Sequence, residues 1–128
     1  MKYTKVKIGG REFSLAFTMN AKLEMNDNID DFESPKIGEY IRGQGKEMLI
    51  VLTALARQGE ALNGRVLDVG PEWFGAHIPY RLSSLVKIQV ALLDAVSIGM
   101  RMETEDDDDG IEVDVVLKEL KKKETKDD

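Results

Sequence analysis

Between Thr4 and Phe17 apolar and polar positions alternate, interrupted only by Gly9-Gly10. A period of two is the signature of a half-buried strand. Two glycines between two such runs form a two-residue hairpin loop, because both central positions of a type I′ turn need φ > 0. The loop fixes the register: Ile8 faces Arg11, Lys7 faces Glu12, Val6 faces Phe13, Lys5 faces Ser14 and Thr4 faces Leu15. One face then collects Thr4, Val6, Ile8, Phe13, Leu15 and Phe17. The other holds Lys5, Lys7, Glu12 and Ser14, with Lys7 and Glu12 as a cross-strand ion pair. A lone hairpin is marginal in water, so the apolar face of the segment from Tyr3 to Phe17 must cover a core.

Downstream the period changes from two to that of a helix. Thr18 or Asn20 caps a short helix through "NAKLEMND" that stops near Asn26–Asn28. Ser34 and Pro35 read as the N-cap and first residue of a second short helix, "PKIGEYIRG", ending at Gly43 or Gly45. "KEMLIVLTALARQGEALNG" is apolar around most of its circumference, which predicts a buried helix over 46–58, ended by Gly59 or Gly64. Pro71 to Ala76 fit a single helical turn. The second strong helix spans 80–101. Its polar positions, Ser83, Ser84, Lys87, Asp94, Ser97 and Arg101, form a narrow solvent stripe, and Leu85, Val86, Ile88, Leu92, Leu93, Ala95, Val96 and Ile98 fill the rest. The two strong helices are expected to be the central pair, with the hairpin and the smaller helices around them. The fold class is α+β, mainly α: an N-terminal β-hairpin packed on a small helical bundle.

Charge divides the chain. Residues 103–128 hold 12 acidic and 5 basic residues, net −7, whereas residues 1–102 carry a net charge of only +1. A hairpin-plus-helical domain is therefore expected over 1–102, and an acidic, partly disordered tail over 103–128. The like-charge run Asp106 to Asp109 repels itself. After it, Ile111, Val113 and Val115 alternate like a strand, while Val113, Val116, Leu117 and Leu120 share one helical face and Lys121 to Lys123 suit a helix C-terminus. The helical reading is preferred. An acidic chain without a basic stripe is a poor nucleic-acid binder, since that binding runs on phosphate neutralisation. There is no cysteine, hence no disulfide and no thiol chemistry, which fits a reducing compartment. The N-terminus has no signal-peptide pattern, and no run reaches the roughly 18 apolar residues of a membrane span, so no membrane segment is expected.

Few residues point to chemistry. His77 is the single histidine and has no cysteine or second histidine with which to share a metal, so it reads as a loop or core residue. Gly110 aligned with the glycine of an EF-hand loop puts Glu105, Asp107 and Asp109 at the first ligand positions, but the bidentate glutamate position is Val116. That set is incomplete. "IGGREF" is a hairpin turn rather than a phosphate loop, and Ser83-Ser84 has no base nearby in sequence. The sequence therefore predicts no enzyme, no catalytic or metal-binding residues and no cofactor. Trp73 and Phe74, two large aromatics in a connection between buried helices, read as core plugs or as the lining of a partner groove. The candidate partner-binding residues are Trp73, Phe74, Val113, Val116, Leu117 and Leu120.

The stretch Ile8, Gly9, Gly10, Arg11, Glu12, Phe13, Leu15, Phe17, Thr18, Met19, Asn20 and Ala21, a hairpin running straight into a helix before a small helical domain, resembles the tail assembly chaperones of siphophages and their prophages. "KEMLIVLTALARQGEALNG" looks like the family's helix and small-residue turn, and "DDDDGIEVDVVLKELKKKE" is similar to its charged tails. The segment "KLEMNDNIDD" departs from the longer acidic and apolar run of many members. The resemblance implies a non-enzymatic protein that binds the tape measure protein, keeps it soluble while the tube polymerises, acts in the bacterial host cytoplasm and is absent from the finished virion; the tail tube protein is a second candidate partner and a homo-oligomer a candidate assembly. In that setting the hairpin is a lid on the helical core and its free edges are candidate docking sites. The alternative is a small helical protein-interaction adaptor of unrelated function, which gene neighbourhood would separate from the first.

Overall fold

The computed structural model describes residues 4–105, and of 101–105 the backbone alone. Strands β1 (Thr4–Ile8) and β2 (Arg11–Leu15) pair antiparallel in the expected register, from Ile8 opposite Arg11 to Thr4 opposite Leu15. Gly9 and Gly10 have φ of 59° and 79°, a turn conformation that a Cβ disfavours. Val6, Ile8, Phe13 and Leu15 are buried. Two details of the polar face differ. Glu12 makes its ion pair diagonally with Lys5, at 3.7 Å, instead of with Lys7. Ser14 is buried, because a helix crosses β2 at that point.

Among the described residues five α-helices follow: α1 (Met19–Asn28), α2 (Ile37–Arg42), α3 (Lys46–Leu62), α4 (Pro71–His77) and α5 (Leu82–Glu105). Thr18 is the N-cap of α1. Its Oγ1 accepts from the Ala21 N–H at 3.3 Å and donates to Gln58 Oε1 at 3.0 Å, which ties the start of α1 to α3. Arg57 Nε reaches Glu24 Oε1 at 2.9 Å and ties the same two helices one turn on. Ser34 and Pro35 open a 3-10 turn, Ser34–Lys36, and α2 begins only at Ile37.

The central element is α3 alone, not a pair. It touches β2, α1, α2, α4 and α5, and is buried from Ile50 through Ala56 without a polar face. Burying side chains such as Val51, Leu52 and Leu55 contributes about 1.5–3 kcal/mol each, so most of the driving force converges on this helix. It runs through Gly59 and ends before Gly64, whose φ is 75°. At Gly59 the absent Cβ matters for a different reason: the backbone of Ser14 and Leu15 occupies that space.

α5 packs on β1, α2 and α3 through Leu85, Ile88, Leu92, Ala95 and Val96. At Gly99 it meets Phe17 so closely that a Cβ would lie 2.6 Å from the Phe17 carbonyl oxygen. The segment Leu82–Met100 is, by length and composition, apolar enough to cross a membrane, contrary to the expectation from runs alone. In this fold one side of it completes the core. It also runs three residues past the expected domain boundary at 102. The tail readings from Asp106 onward, including Val113, Val116, Leu117 and Leu120, lie outside the described residues.

Candidate interaction surface

The hairpin tip meets α4 in an aromatic cluster. Phe74 is fully buried, with its ring edge-on to Phe13 at 5.1 Å between centroids. Trp73 is half-buried, edge-on to Phe13 at 5.8 Å and stacked on His77 at 3.9 Å. Such pairs contribute about 0.5–1.5 kcal/mol beyond their area. Gly9 sits directly on the two rings: a Cβ there would lie 3.0 Å from His77 Cδ2 and 3.1 Å from Trp73 Cη2. His77 Nδ1 lies 2.8 Å from the Trp73 carbonyl oxygen. A carbonyl only accepts, so Nδ1 carries the proton and donates. Arg11 lies over the Phe13 ring at 5.0 Å and the Trp73 ring at 5.4 Å, and pairs with Asp68 at 2.8 Å. That guanidinium holds the Asp68 carboxyl below its ordinary range, chiefly through its hydrogen bond. The cluster closes the hairpin onto α4, and Phe74 is a core plug with no surface to offer a partner.

The outer edge of β2 is closed as well. In an antiparallel pair every second residue turns its N–H away from the partner strand. On β2 these outward N–H groups include Ser14 and, just beyond, Ala16. The Ser14 N–H donates to Glu60 Oε2 at 3.1 Å, and the Ala16 N–H donates to the Leu55 carbonyl at 3.0 Å. Glu60 is 7% exposed and is gripped by Arg65, whose Nε and Nη2 donate to its two carboxylate oxygens at 3.1 Å each. The Arg65 hydrogen bond lowers the Glu60 pKa most, the Ser14 N–H adds to it, and burial works against both. This edge is therefore a joint between hairpin and α3, not a docking site.

The free apolar surface lies elsewhere. Leu82, Val86 and Val90 are spaced by four along α5 and are 73%, 43% and 60% exposed. On a helix of 3.6 residues per turn the line of the row runs on through the half-buried Leu93 to Ser97. There α5 forms one wall of an open groove of about 410 Å³, and Ser34, Pro35, Ile37 and Gly38 form the other. The row lies between the buried side of α5 and the exposed Lys87 and Asp94. The sequence pattern misses it: Val86 reads as a core residue because α5 carries more apolar residues than its neighbours can cover, whereas Leu93 does pack on the core. The available signal was the spacing of Leu82, Val86 and Val90 beside the polar stripe. Among the described residues no group of His, Asp and Glu is arranged to hold a metal ion.

Comparison with protein-family models, with curated proteins and with solved structures found no match.

Proposed function

We propose that this chain is a phage tail assembly chaperone that binds the tape measure protein in the bacterial host cytoplasm and does not enter the mature virion. The observation that carries the reading is the exposed row Leu82, Val86 and Val90 on α5, which leads to the half-buried Leu93 at the Pro35–Ile37 groove. An exposed apolar row at helical spacing that leads into an open groove suits an amphipathic helix lying along it through i, i+4 and i+7 anchors. A tape measure protein is the kind of partner that presents long amphipathic helices in need of cover. The hairpin-to-helix stretch from Ile8 to Ala21 supports the same family by resemblance. The net charge of −7 over residues 103–128 would keep such a complex dispersed. The test is co-expression with the tape measure protein from the same gene neighbourhood. The expected result is a soluble complex that survives size-exclusion chromatography. A tape measure that stays insoluble and never copurifies would overturn the proposal in favour of an unrelated adaptor.

A further inference from the structure

We propose that α5 pairs with α5 of a second copy of this chain, antiparallel, about a two-fold axis that crosses the helix beside Val90. The proposal rests on the surface of α5 alone and stands whether or not the chain binds a tape measure protein.

An isologous interface needs a patch that is its own complement: if residue i meets residue j, then j meets i. The exposed face of α5 has that property in charge, in shape and in apolar pattern. Charge comes first. Lys87 and Asp94 stand exposed on one flank of the apolar row. At about 100° per residue, their separation leaves them only about 20° apart around the helix. Along the axis Lys87 lies about 4.5 Å before Val90 and Asp94 about 6 Å after it. An antiparallel copy therefore sets each Lys87 beside the Asp94 of the other molecule, and two ion pairs form together. Neither charge is neutralised within the molecule. Lys87 makes no ion pair among the described residues, and Asp94 accepts one hydrogen bond, from Thr4 Oγ1 at 2.7 Å.

Shape is the second match. Leu82, 73% exposed, stands at the N-terminal end of the row, and the groove between Ser97 and Pro35 opens towards its C-terminal end. The same two-fold brings Leu82 of one molecule level with Ser97 of the other, so each exposed end meets the other's groove. Between the ends the apolar pattern closes. Val90 meets its own copy, and the exposed Val86 comes level with the half-buried Leu93 of the other molecule. A parallel copy would set Lys87 beside Lys87 and leave both grooves without a facing Leu82.

Size sets the strength. Three exposed apolar side chains and two surface ion pairs fall far short of the roughly 800 Å² per molecule in a standard stable interface. The dimer is therefore weak. It forms as the chain accumulates and gives up the row to any partner that covers it better.

The test is sedimentation equilibrium of the full-length chain at concentrations up to about 1 mM, where even an association with millimolar Kd is half formed. The average mass should climb from that of one chain towards that of two. Lys87→Glu leaves only acidic groups at both contacts and Asp94→Lys only basic ones, so each variant alone should associate at least about tenfold more weakly. Mixed in equal amounts, the two should recover the dimer, because opposite charges then face each other at both contacts. Val90→Glu, at an exposed position on the axis, sets two carboxylates together and should abolish association. Circular dichroism checks that all three variants keep their helices. A parent that stays monomeric at about 1 mM would overturn the proposal, as would association that none of the three substitutions weakens. Two weakened charge variants whose mixture stays weak would overturn it too, since the antiparallel register requires their recovery. No tape measure protein enters the measurement, so its outcome is independent of the co-expression test.

Discussion

The carbonyl group of Ser14 lies against the Cα of Gly59, in the space where any other residue would carry its Cβ. Strand β2 and helix α3 are thus joined backbone to backbone, with Glu60 and Leu55 closing the strand's outward N–H groups on either side. This joint makes Gly59→Ala a test of the fold. Helix propensity alone would favour alanine by about 1 kcal/mol. Overlap with an unyielding backbone costs more, typically about 1–3 kcal/mol net. The variant should melt well below the parent. Gly38→Ala in α2 meets only the flexible end of Arg42 and should be neutral or slightly stabilising. A Gly59→Ala protein as stable as the parent would show that β2 does not seat on α3.

Phe13 and Lys5 test the two faces of the hairpin. Phe13 is fully buried between Trp73 and Phe74, whereas the Lys5 side chain is 60% exposed. Phe13→Ala should cost about 3–5 kcal/mol, and Phe13→Asp should unfold the domain or release the hairpin. Lys5→Asp, which gives up an exposed ion pair with Glu12, should stay within about 1 kcal/mol of the parent. Denaturant melts of the three variants check this, and equal losses at both positions would contradict the assignment of faces.

The hairpin's register was legible in the sequence to the residue because its determinants are local: the Gly-Gly turn fixes which residues face each other, and alternation places Val6, Ile8, Phe13 and Leu15 on the buried face. The positions and boundaries of α1 and α4 were legible from Thr18 and Pro71 for the same reason. What stayed hidden depends on which element crosses which. Ser14 looked solvent-facing because nothing in its neighbourhood announces α3. Gly59 reads, beside Gly64, as a candidate helix terminator because the sequence does not show the strand that needs its missing side chain. The exposed face of α5 was hidden by an excess of apolar residues: composition says the helix is apolar, and only packing says that Leu82, Val86 and Val90 are left over. Trp73 and Phe74 were recognisable as important, but their role in holding the hairpin tip appears only when Gly9 and Phe13 are seen against them.

Acid should loosen the joint between β2 and α3. The Glu60 carboxyl is held below its ordinary range, first by the Arg65 hydrogen bond and then by the Ser14 N–H. A carboxylate whose folded pKa is depressed contributes stability that is complete above its unfolded value of about 4.3 and is lost as pH falls through the lower folded value. The melting temperature of the parent should therefore drop more steeply between pH 5 and about pH 3 than that of Glu60→Gln, which has no such proton to take up. At neutral pH the variant should lose on the order of 1 kcal/mol, discounted because the Arg65 side chain is 56% exposed. Asp68, held down by Arg11 at the surface, acts in the same direction. Parallel pH profiles for the two proteins would remove Glu60 from the acid response.

The α5 row separates binding from stability. Leu82, Val86 and Val90 stand largely in solvent, so replacing all three with glutamine removes little buried area, and glutamine is a better helix former than valine. The triple variant should keep its melting temperature within about 2–4 °C of the parent, the shift expected from no more than about 1 kcal/mol in a chain of this size. It should also bind less of a hydrophobic dye and fail to hold the tape measure protein in solution. Trp73→Ala should behave in the opposite way. It removes a half-buried ring packed on Phe13, His77 and Gly9, so stability falls by up to about 3 kcal/mol and the melting temperature falls with it, while the protein that remains folded still binds. The two readouts move independently only if the surface that recognises a partner is the α5 row and the Trp73 cluster is a structural clasp. A triple variant that binds normally would transfer recognition to another face, and one that unfolds would show that these three residues belong to the core.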